Sequence, residues 1–541
     1  MSDQFTARTD ELPYQHQPAE TEVADARRRT MILVAMCTAL VAVIASVSGL
    51  NVAQQQLASD LGATQSQLLW VINGYTIALA ALLMPIGAIG DRFGRKHILL
   101  AGLGVFAVAN VLASLATSPA QLIAFRVLAG AGAAMIMPVT LSVITSTFPE
   151  AERGRAVGIW AGFAGGGGIL GLLSSAILVD NFTWPWLFVG PVALALVAAA
   201  FTVRFVPHSK EHSEGRFDVG GSLLSALAVG GLVLGIHEGP EVGWTSGVAL
   251  LGLLVGVASL IGFVVWERRQ EHPLLDVRVF SNRSLAAGSL GLTVSFAIIM
   301  GLFLVLVQFL QAVLGYSAVR AAVGLLPMIA VMMPLSAAAT GMAQRFGLRV
   351  MMTAGNIATA AGLVLLALMA SADGGYWPIL PGILLLGLGM GLSMSPGTAA
   401  ITASLPEEKQ GVASALNDTV REFGGAVGIA LIGSVLSAGY ASSVSGATAG
   451  LPAEAAAVVE EGIGGAFAIA PSLGEQGPAV LAAARTAFVD GWQFSMWLSA
   501  ALAIAAAVFT AAWIPRHRTA TSLVALDAPD STTTPELVAA G

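Results

Sequence analysis

The stretch NDTVREFGGAVG, residues 417–428, places Asp418, Arg421 and Glu422 inside a long apolar, glycine-rich run. Helical spacing puts Asp418 and Glu422 on one face, with Arg421 three residues from Asp418. Two carboxylates this close in a low dielectric resist ionising together. One arginine neutralises one of them, so the formal sum of the three groups is −1 and a proton is the cheapest compensation. That is the chemistry a proton carrier needs. The same residues also fit a structural ion pair between helices, or a shallower site wetted from one side. Arg126, in FRVLAGAGAAMIMP, is the other ionisable group well inside an apolar run. Such residues are functional candidates by default, although an arginine can also bind backbone carbonyls or snorkel outward.

These residues must be positioned by membrane helices. Of 541 residues, 56% are hydrophobic and 11% charged, with a mean hydropathy of +0.80. Soluble proteins carry about 25% charge, so the composition indicates an all-α polytopic membrane protein. A spanning helix needs about 20 mostly apolar residues. Fourteen candidate spans follow, at roughly 31–51, 69–90, 97–117, 121–147, 156–179, 185–205, 220–237, 246–266, 285–313, 318–343, 350–370, 377–402, 411–437 and 491–514. In that frame Arg126 lies about 8 Å into span 4, and Asp418 and Glu422 about 10 and 16 Å into span 13, at 1.5 Å per residue. They are the carboxylates expected deep in any span.

An even number of spans puts both termini on one side. Of the 25 Lys and Arg, Arg126 and Arg421 fall within spans, Arg320 and Arg485 opposite the termini, and the others with the termini. This bias places both termini in the cytoplasm of a cell (plasma) membrane protein. The first apolar run, after Arg27-Arg28-Arg29, is read as a retained helix rather than a signal peptide. The tail after Pro515 has the composition of a disordered segment. A long external loop is expected over 438–490, with short pieces such as GIGGAFAIA forming surface helices.

Enzyme chemistry finds little support. Cys37 is the single cysteine, which excludes an intrachain disulfide and a cysteine-based metal site. There is no G-x-x-x-x-G-K-S/T phosphate loop and no H-E-x-x-H, and the lysines number three, Lys96, Lys210 and Lys409. His208 and His212 share helical spacing but lie in a polar loop and are expected to bind nothing. No cofactor, metal or nucleic acid is expected.

Span 2 runs into GAIGDRFGRKH, residues 87–97. Its glycines allow a tight turn, its basic residues hold the loop on the terminal side, and Asp91 can pair with them or with another helix N-terminus. The pattern resembles the G-x-x-x-D-R-x-G-R-K/R signature of the major facilitator superfamily, with Gly87, Asp91, Arg92, Gly94 and Arg95 in place. An echo without the aspartate, GMAQRFGLR at 341–349, follows span 10, its RFG triplet 253 residues after the first. The resemblance implies a major facilitator fold of two six-helix halves plus two inserted helices. The N-terminal tail would be 1–30, the halves 31–205 and 284–514, the linker with the inserted pair 206–283, and the C-terminal tail 515–541.

That layout is similar to the 14-span branch of the drug:proton antiporter family, which includes actinobacterial multidrug and antibiotic exporters. FRVLAGAGAAMIMP resembles the branch's R-x-x-Q-G-x-G-A-A, with Ala129 replacing the glutamine. FLQAVLGYSAVRAAVGLLP (309–327), GLGMGLSMSP (387–396) and NDTVREFGGAVG resemble its spans 9–10, 12 and 13. In span 1, ASVSGLNVAQQ keeps Asn51, Val52 and Ala53 but has Ser46 where the branch has an aspartate. In span 5, Gly171-Leu172 and Ser174-Ser175 replace the proline and glycine pair of the antiporter motif.

The resemblance implies proton-coupled efflux of small apolar or amphipathic compounds by a monomer rocking about a midplane cavity. Asp91 and its loop would gate, Arg126 would transfer a proton or tune one, and Asp418 and Glu422, set by Arg421, would carry it. Asn73, Tyr75, Gln308, Gln311 and Asn356 are candidate cavity residues, each equally suited to a polar contact between helices. Trp70, Phe303, Met328, Met332 and Met333 are apolar candidates, better suited singly to packing. An importer or uniporter on the same fold, and a non-transporting sensor or structural protein, are the alternatives.

Overall fold

The structure is a computed structural model that describes residues 23–51, 53–208 and 217–515. His212, Lys210, Val52 and the two tails beyond these limits lie outside the described residues. Among the described residues, fourteen helices are long and apolar enough to cross a membrane. We label them α1 (Ala26–Ser48), α2 (Gln65–Phe93), α3 (Arg95–Ser114), α4 (Pro119–Thr147), α5 (Glu150–Asn181), α6 (Val189–Phe205), α7 (Val219–Val242), α8 (Gly247–Glu267), α9 (Arg283–Gln308), α10 (Ala318–Phe346), α11 (Leu348–Met369), α12 (Leu380–Thr402), α13 (Gln410–Thr448) and α14 (Gly477–Trp513). The even count returns the chain to the side on which it began.

Local chemistry sets many of the helix ends. Asp25, Ser118, Asp218, Ser246 and Ser317 each accept a backbone N–H of the following first turn, satisfying donors that the helix leaves open. Thr64 and Gln67 close a reciprocal capping box at the start of α2. Gly94 turns the chain from α2 into α3 with φ 100°, and Gly347 does the same from α10 into α11 with φ 90°. Both belong to an RFG triplet, so the echo in sequence is an echo in backbone. Prolines stand inside α2, α4, α7, α10 and α12, as membrane helices tolerate where neighbours re-satisfy the freed carbonyls.

Helices α1–α6 form one bundle and α9–α14 the other. Two seams join them: α2 and α4 against α13, and α5 against α10. The inserted helices α7 and α8 form a hairpin of very close approach. A β-carbon at Gly231 would meet Gly256 N at 2.8 Å and Gly252 O at 2.9 Å, so the small residues set the spacing. The outer face of α8 carries exposed Leu251, Leu254 and Ile261. Its partner α7 packs on α2 and α13, so the hairpin covers the seam between the halves rather than joining either bundle.

Residues 438–490 are mostly helix rather than loop. α13 continues to Thr448 and α14 begins at Gly477, with Ala453–Glu461, Ile463–Ile469 and a 3-10 stretch Ala470–Gln476 between. The Tyr440 hydroxyl donates to Val459 O at 2.9 Å. Val444, Val459, Ile463, Ala466 and Val480 join the main apolar core. The alanine-rich stretch has helical propensity and an apolar stripe, but too few apolar residues in a row to be read as spanning. At 39 residues, α13 is about 58 Å long and projects well past a hydrocarbon layer of about 30 Å.

Candidate functional site

On the terminal side, the end of α2 meets the start of α13. Gly411 N donates to Asp91 Oδ1 at 2.8 Å and Val412 N to Oδ2 at 3.2 Å. Arg95 donates to the same carboxylate from Nε at 3.2 Å and Nη2 at 3.0 Å. Asp91 and Arg95 are both buried. A carboxylate at a helix N-terminus gains from the open amides and from the helix dipole. The approach needs Gly87, where a β-carbon would lie 2.6 Å from both Gly411 O and the Ala415 methyl. Arg92 is half-exposed. Lys96, also buried, donates to Val203 O and Val206 O at the end of α6, at 3.0 and 2.7 Å. At the other seam Ser336 Oγ donates to Gly158 O at 2.9 Å. The terminal ends of the halves are thus held together.

About two to three turns further along α13 lies the charged cluster. Arg421 Nη1 and Asn417 Nδ2 each donate to Asp418 Oδ1 at 3.1 Å. Asp418 is fully buried, and its Oδ2 receives no hydrogen bond. The Arg421 guanidinium lies between two rings, 4.5 Å from that of Phe296 on α9 and 5.2 Å from that of Trp160 on α5. Trp160 is fixed in turn by donating to Thr140 Oγ1 at 3.0 Å. One ring comes from each half, so the arginine sits astride the division between them. Glu422 is partly exposed, and the charges that act on it are those of Arg421 and Asp418. The ion pair therefore belongs to Asp418, and Glu422 stands beside it.

The third cluster lies in the N-terminal half. Arg126 is fully buried on α4. It donates from Nη1 to Ser46 Oγ at 2.9 Å and from Nε to Val71 O at 3.2 Å, and stacks 4.2 Å over the Tyr75 ring. Ser46 Oγ donates onward to Asn110 Oδ1 at 3.2 Å, and Tyr75 OH to Val43 O at 3.1 Å. Ser46, standing where the resembled branch has an acid, therefore touches Arg126 directly. Each of these contacts of Arg126 is neutral, and its Nη2 has no partner. Tyr75 is within electrostatic reach of both Arg126 and Glu422, which brings the two clusters near each other across the seam.

A further buried carboxylate, Glu238, lies about one turn from the end of α7, so Asp418 and Glu422 remain the carboxylates placed deep in a span among the described residues. α7 extends past its expected end at 237 to Val242, and Glu238 on that extension is buried and within hydrogen-bond reach of Asn73 of α2. Hydropathy ended the span at His237 because charge follows, whereas the helix continues where α2 supplies a donor. Asn73 is thereby engaged with the inserted hairpin, and Tyr75 with Arg126. Gln308 caps the π-helical turn Phe309–Val313 and Gln311 lies within it, and both are half-buried. Asn356 is buried on α11, which packs on α10, α12 and α14 inside the C-terminal half, away from the charged cluster. Met328 and Met332 are buried on α10 and Trp70, Phe303 and Met333 are half-buried, with Met332 against Gly165 of α5.

Sequence reasoning passed over Asn110, Trp160, Phe296 and Glu238. Asn110 carried a signal, a lone amide in the middle of span 3. The aromatic residues carried none, because nothing local distinguishes a ring beneath an arginine from a ring in lipid. The ring of His208 lies 5.3 Å from that of His97. Among the described residues no three His, Cys, Asp or Glu gather as a metal site would require.

Comparison with known proteins agrees with this architecture. The chain is 33% identical to the methyl viologen resistance protein SmvA of Salmonella typhimurium over 87% of its own length and 94% of that protein. It is 33% identical to the multidrug efflux pump LfrA of Mycolicibacterium smegmatis over 83% and 89%. Among solved structures, the human organic anion transporter MFSD10 superposes with a TM-score of 0.57, covering 88% of this chain and all of that one, at 14% identity. The family model described as Major Facilitator Superfamily matches residues 34–429. With its paired six-helix bundles, its signature loop between α2 and α3 and this match over most of its length, the chain belongs to the major facilitator superfamily.

Proposed function

We propose that this protein is a secondary active transporter that expels apolar or amphipathic drugs and antibiotics from the cell in exchange for protons. It works as a monomer by alternating access in the plasma membrane, with both termini in the cytoplasm. Its similarity to a multidrug efflux pump and to a methyl viologen resistance protein supports the direction and the broad class of cargo. The lysine and arginine bias toward the terminal side supports the orientation. On that orientation the Asp91–Gly411 contact is the closed cytoplasmic gate. The chain hydrolyses nothing, binds no cofactor and draws its energy from the proton gradient.

The observation that carries this reading is the arrangement around Arg421. Asp418 holds the guanidinium, Glu422 stands one turn away without its own cation, and a ring from each half clasps the arginine. Glu422 takes the proton. When the halves rock, Trp160 and Phe296 part, and Arg421 can redistribute between the two carboxylates. Release of the proton and reversal of the gate are thereby linked.

The test is flux in proteoliposomes with an imposed pH gradient, using one lipophilic cation and one neutral dye as probes. Wild type should move a probe against the direction of proton flow, and Asp418→Asn and Glu422→Gln should lose proton-driven accumulation. Full proton-driven transport in both variants would remove the cluster from the mechanism. A probe that moves with the protons identifies an importer, and the absence of any flux identifies a sensor or structural protein.

A further inference from the structure

The terminal-side ends of the inserted hairpin hold a second pair of carboxyls, unrelated to those of α13. Glu267 closes α8, and Asp218 caps the start of α7. Asp218 Oδ1 is occupied: it accepts Gly221 N at 2.8 Å and Trp266 Nε1 at 2.9 Å. Glu267 Oε2 accepts Leu275 N, from the linker, at 3.2 Å. The two remaining oxygens, Glu267 Oε1 and Asp218 Oδ2, are buried and receive no donor among the described residues. They face each other: a β-carbon added at Gly221 would collide with both, and the two side chains are within hydrogen-bond reach. Glu267 as a whole is 2% exposed.

Two facing carboxylate oxygens with no donor between them are unfavourable if both are ionised. A divalent cation would need about six or more oxygen ligands. No third acidic or imidazole side chain gathers with this pair among the described residues. A single proton satisfies both oxygens in one hydrogen bond. Among the described residues, the other charges nearby are those of Lys409, Arg268, Arg269 and Asp276. Lys409, in the turn before α13, is within electrostatic reach of Glu267. Arg268 and Arg269 are exposed, and Asp276 caps the turn at Arg278.

We propose that Glu267 and Asp218 form a proton-binding site on the terminal side of the membrane, and that its proton fastens the inserted hairpin to the linker and, through Lys409, to the gate. The connection is short. Lys409 Nζ donates to Pro273 O at 2.8 Å, two residues before the Leu275 amide held by Glu267. Two residues after Lys409 is Gly411, whose amide holds Asp91. Losing the proton leaves two negative charges face to face. That repulsion pulls Glu267 off the linker and draws Lys409 from Pro273 toward the new charge. The pH on the terminal side thus acts on the start of α13. An effect on transport rate rests on the transport reading above, whereas the proton site does not.

The test uses the full chain in lipid nanodiscs, with two readouts. In infrared difference spectra between low and high pH, wild type should show a protonated-carboxyl band that is lost in Glu267→Gln and in Asp218→Asn. In Glu267→Gln an amide donates to Asp218 without titrating and its carbonyl still accepts Leu275 N, so the fold is kept. Amide hydrogen exchange of residues 272–276 and 409–413 should accelerate with pH in wild type beyond the intrinsic base-catalysed rise, and not in Glu267→Gln. Superposable spectra for wild type and both variants would overturn the site. An equal rise in exchange in wild type and Glu267→Gln would overturn its link to the gate. Neither readout needs flux, so failure here and failure of the transport reading are separable.

Discussion

Asp91 accepts the Gly411 amide at 2.8 Å across 320 residues of sequence. This bond joins a turn of the N-terminal half to the first turn of a helix in the C-terminal half, and it forms only while the terminal ends are together. Hydrogen bonds to a charged group are worth about 1.5–3 kcal/mol each. Asp91→Asn weakens two of them and the pairing with Arg95, and should shift the gate toward open by about tenfold or more. Pulsed EPR between labels at Phe93 and Glu408, in a Cys37→Ser background, should show a longer-distance population in the variant. An unchanged distance distribution would mean that the contact does not hold the gate.

Ser46→Leu removes the acceptor of Arg126 Nη1 from a fully buried site. An orphaned buried donor costs about 1–3 kcal/mol, more for a charged group, so the variant should unfold at lower temperature in detergent. Ser46→Asp places a carboxylate against the same nitrogen and should not be destabilised. Equal melting of the two variants would show that Arg126 is satisfied elsewhere.

Arg421→Lys keeps the charge but loses the planar group that lies between Phe296 and Trp160. Cation–π contacts of desolvated groups are worth about 2 kcal/mol, and a lysine cannot reproduce the guanidinium's stacking. Proton-driven flux should fall while surface expression stays near wild type. Full flux would indicate that charge alone suffices.

Asn73→Leu strips the donor from buried Glu238, whereas Glu238→Gln preserves a hydrogen bond to Asn73. The first should cost about 1–3 kcal/mol and the second little. In a double-mutant cycle the penalty of Asn73→Leu should shrink once Glu238 is already glutamine. Additive effects on thermal unfolding would mean that the two side chains do not interact in the folded protein.

The sequence by itself determined the solvent, the number of crossings and the family. Each rests on local information: apolar run length, lysine and arginine placement, and the GAIGDRFGRKH turn, whose glycines and charges act within a few residues of one another. It also put Asp418, Arg421 and Glu422 on one side of a helix, because helical periodicity needs no partner. Only the tertiary structure decided what these groups meet. It paired Arg421 with Asp418 rather than Glu422, set two rings from opposite halves over the guanidinium, and laid Ser46 of α1 on Arg126 of α4. It also brought Asn73 to Glu238, and Asp218 to Glu267 at the far end of the hairpin. The physical reason is that hydropathy makes every helix equally content in lipid. Which helices touch, and at what register, depends on small residues and polar groups matching across chain separations that no local pattern spans.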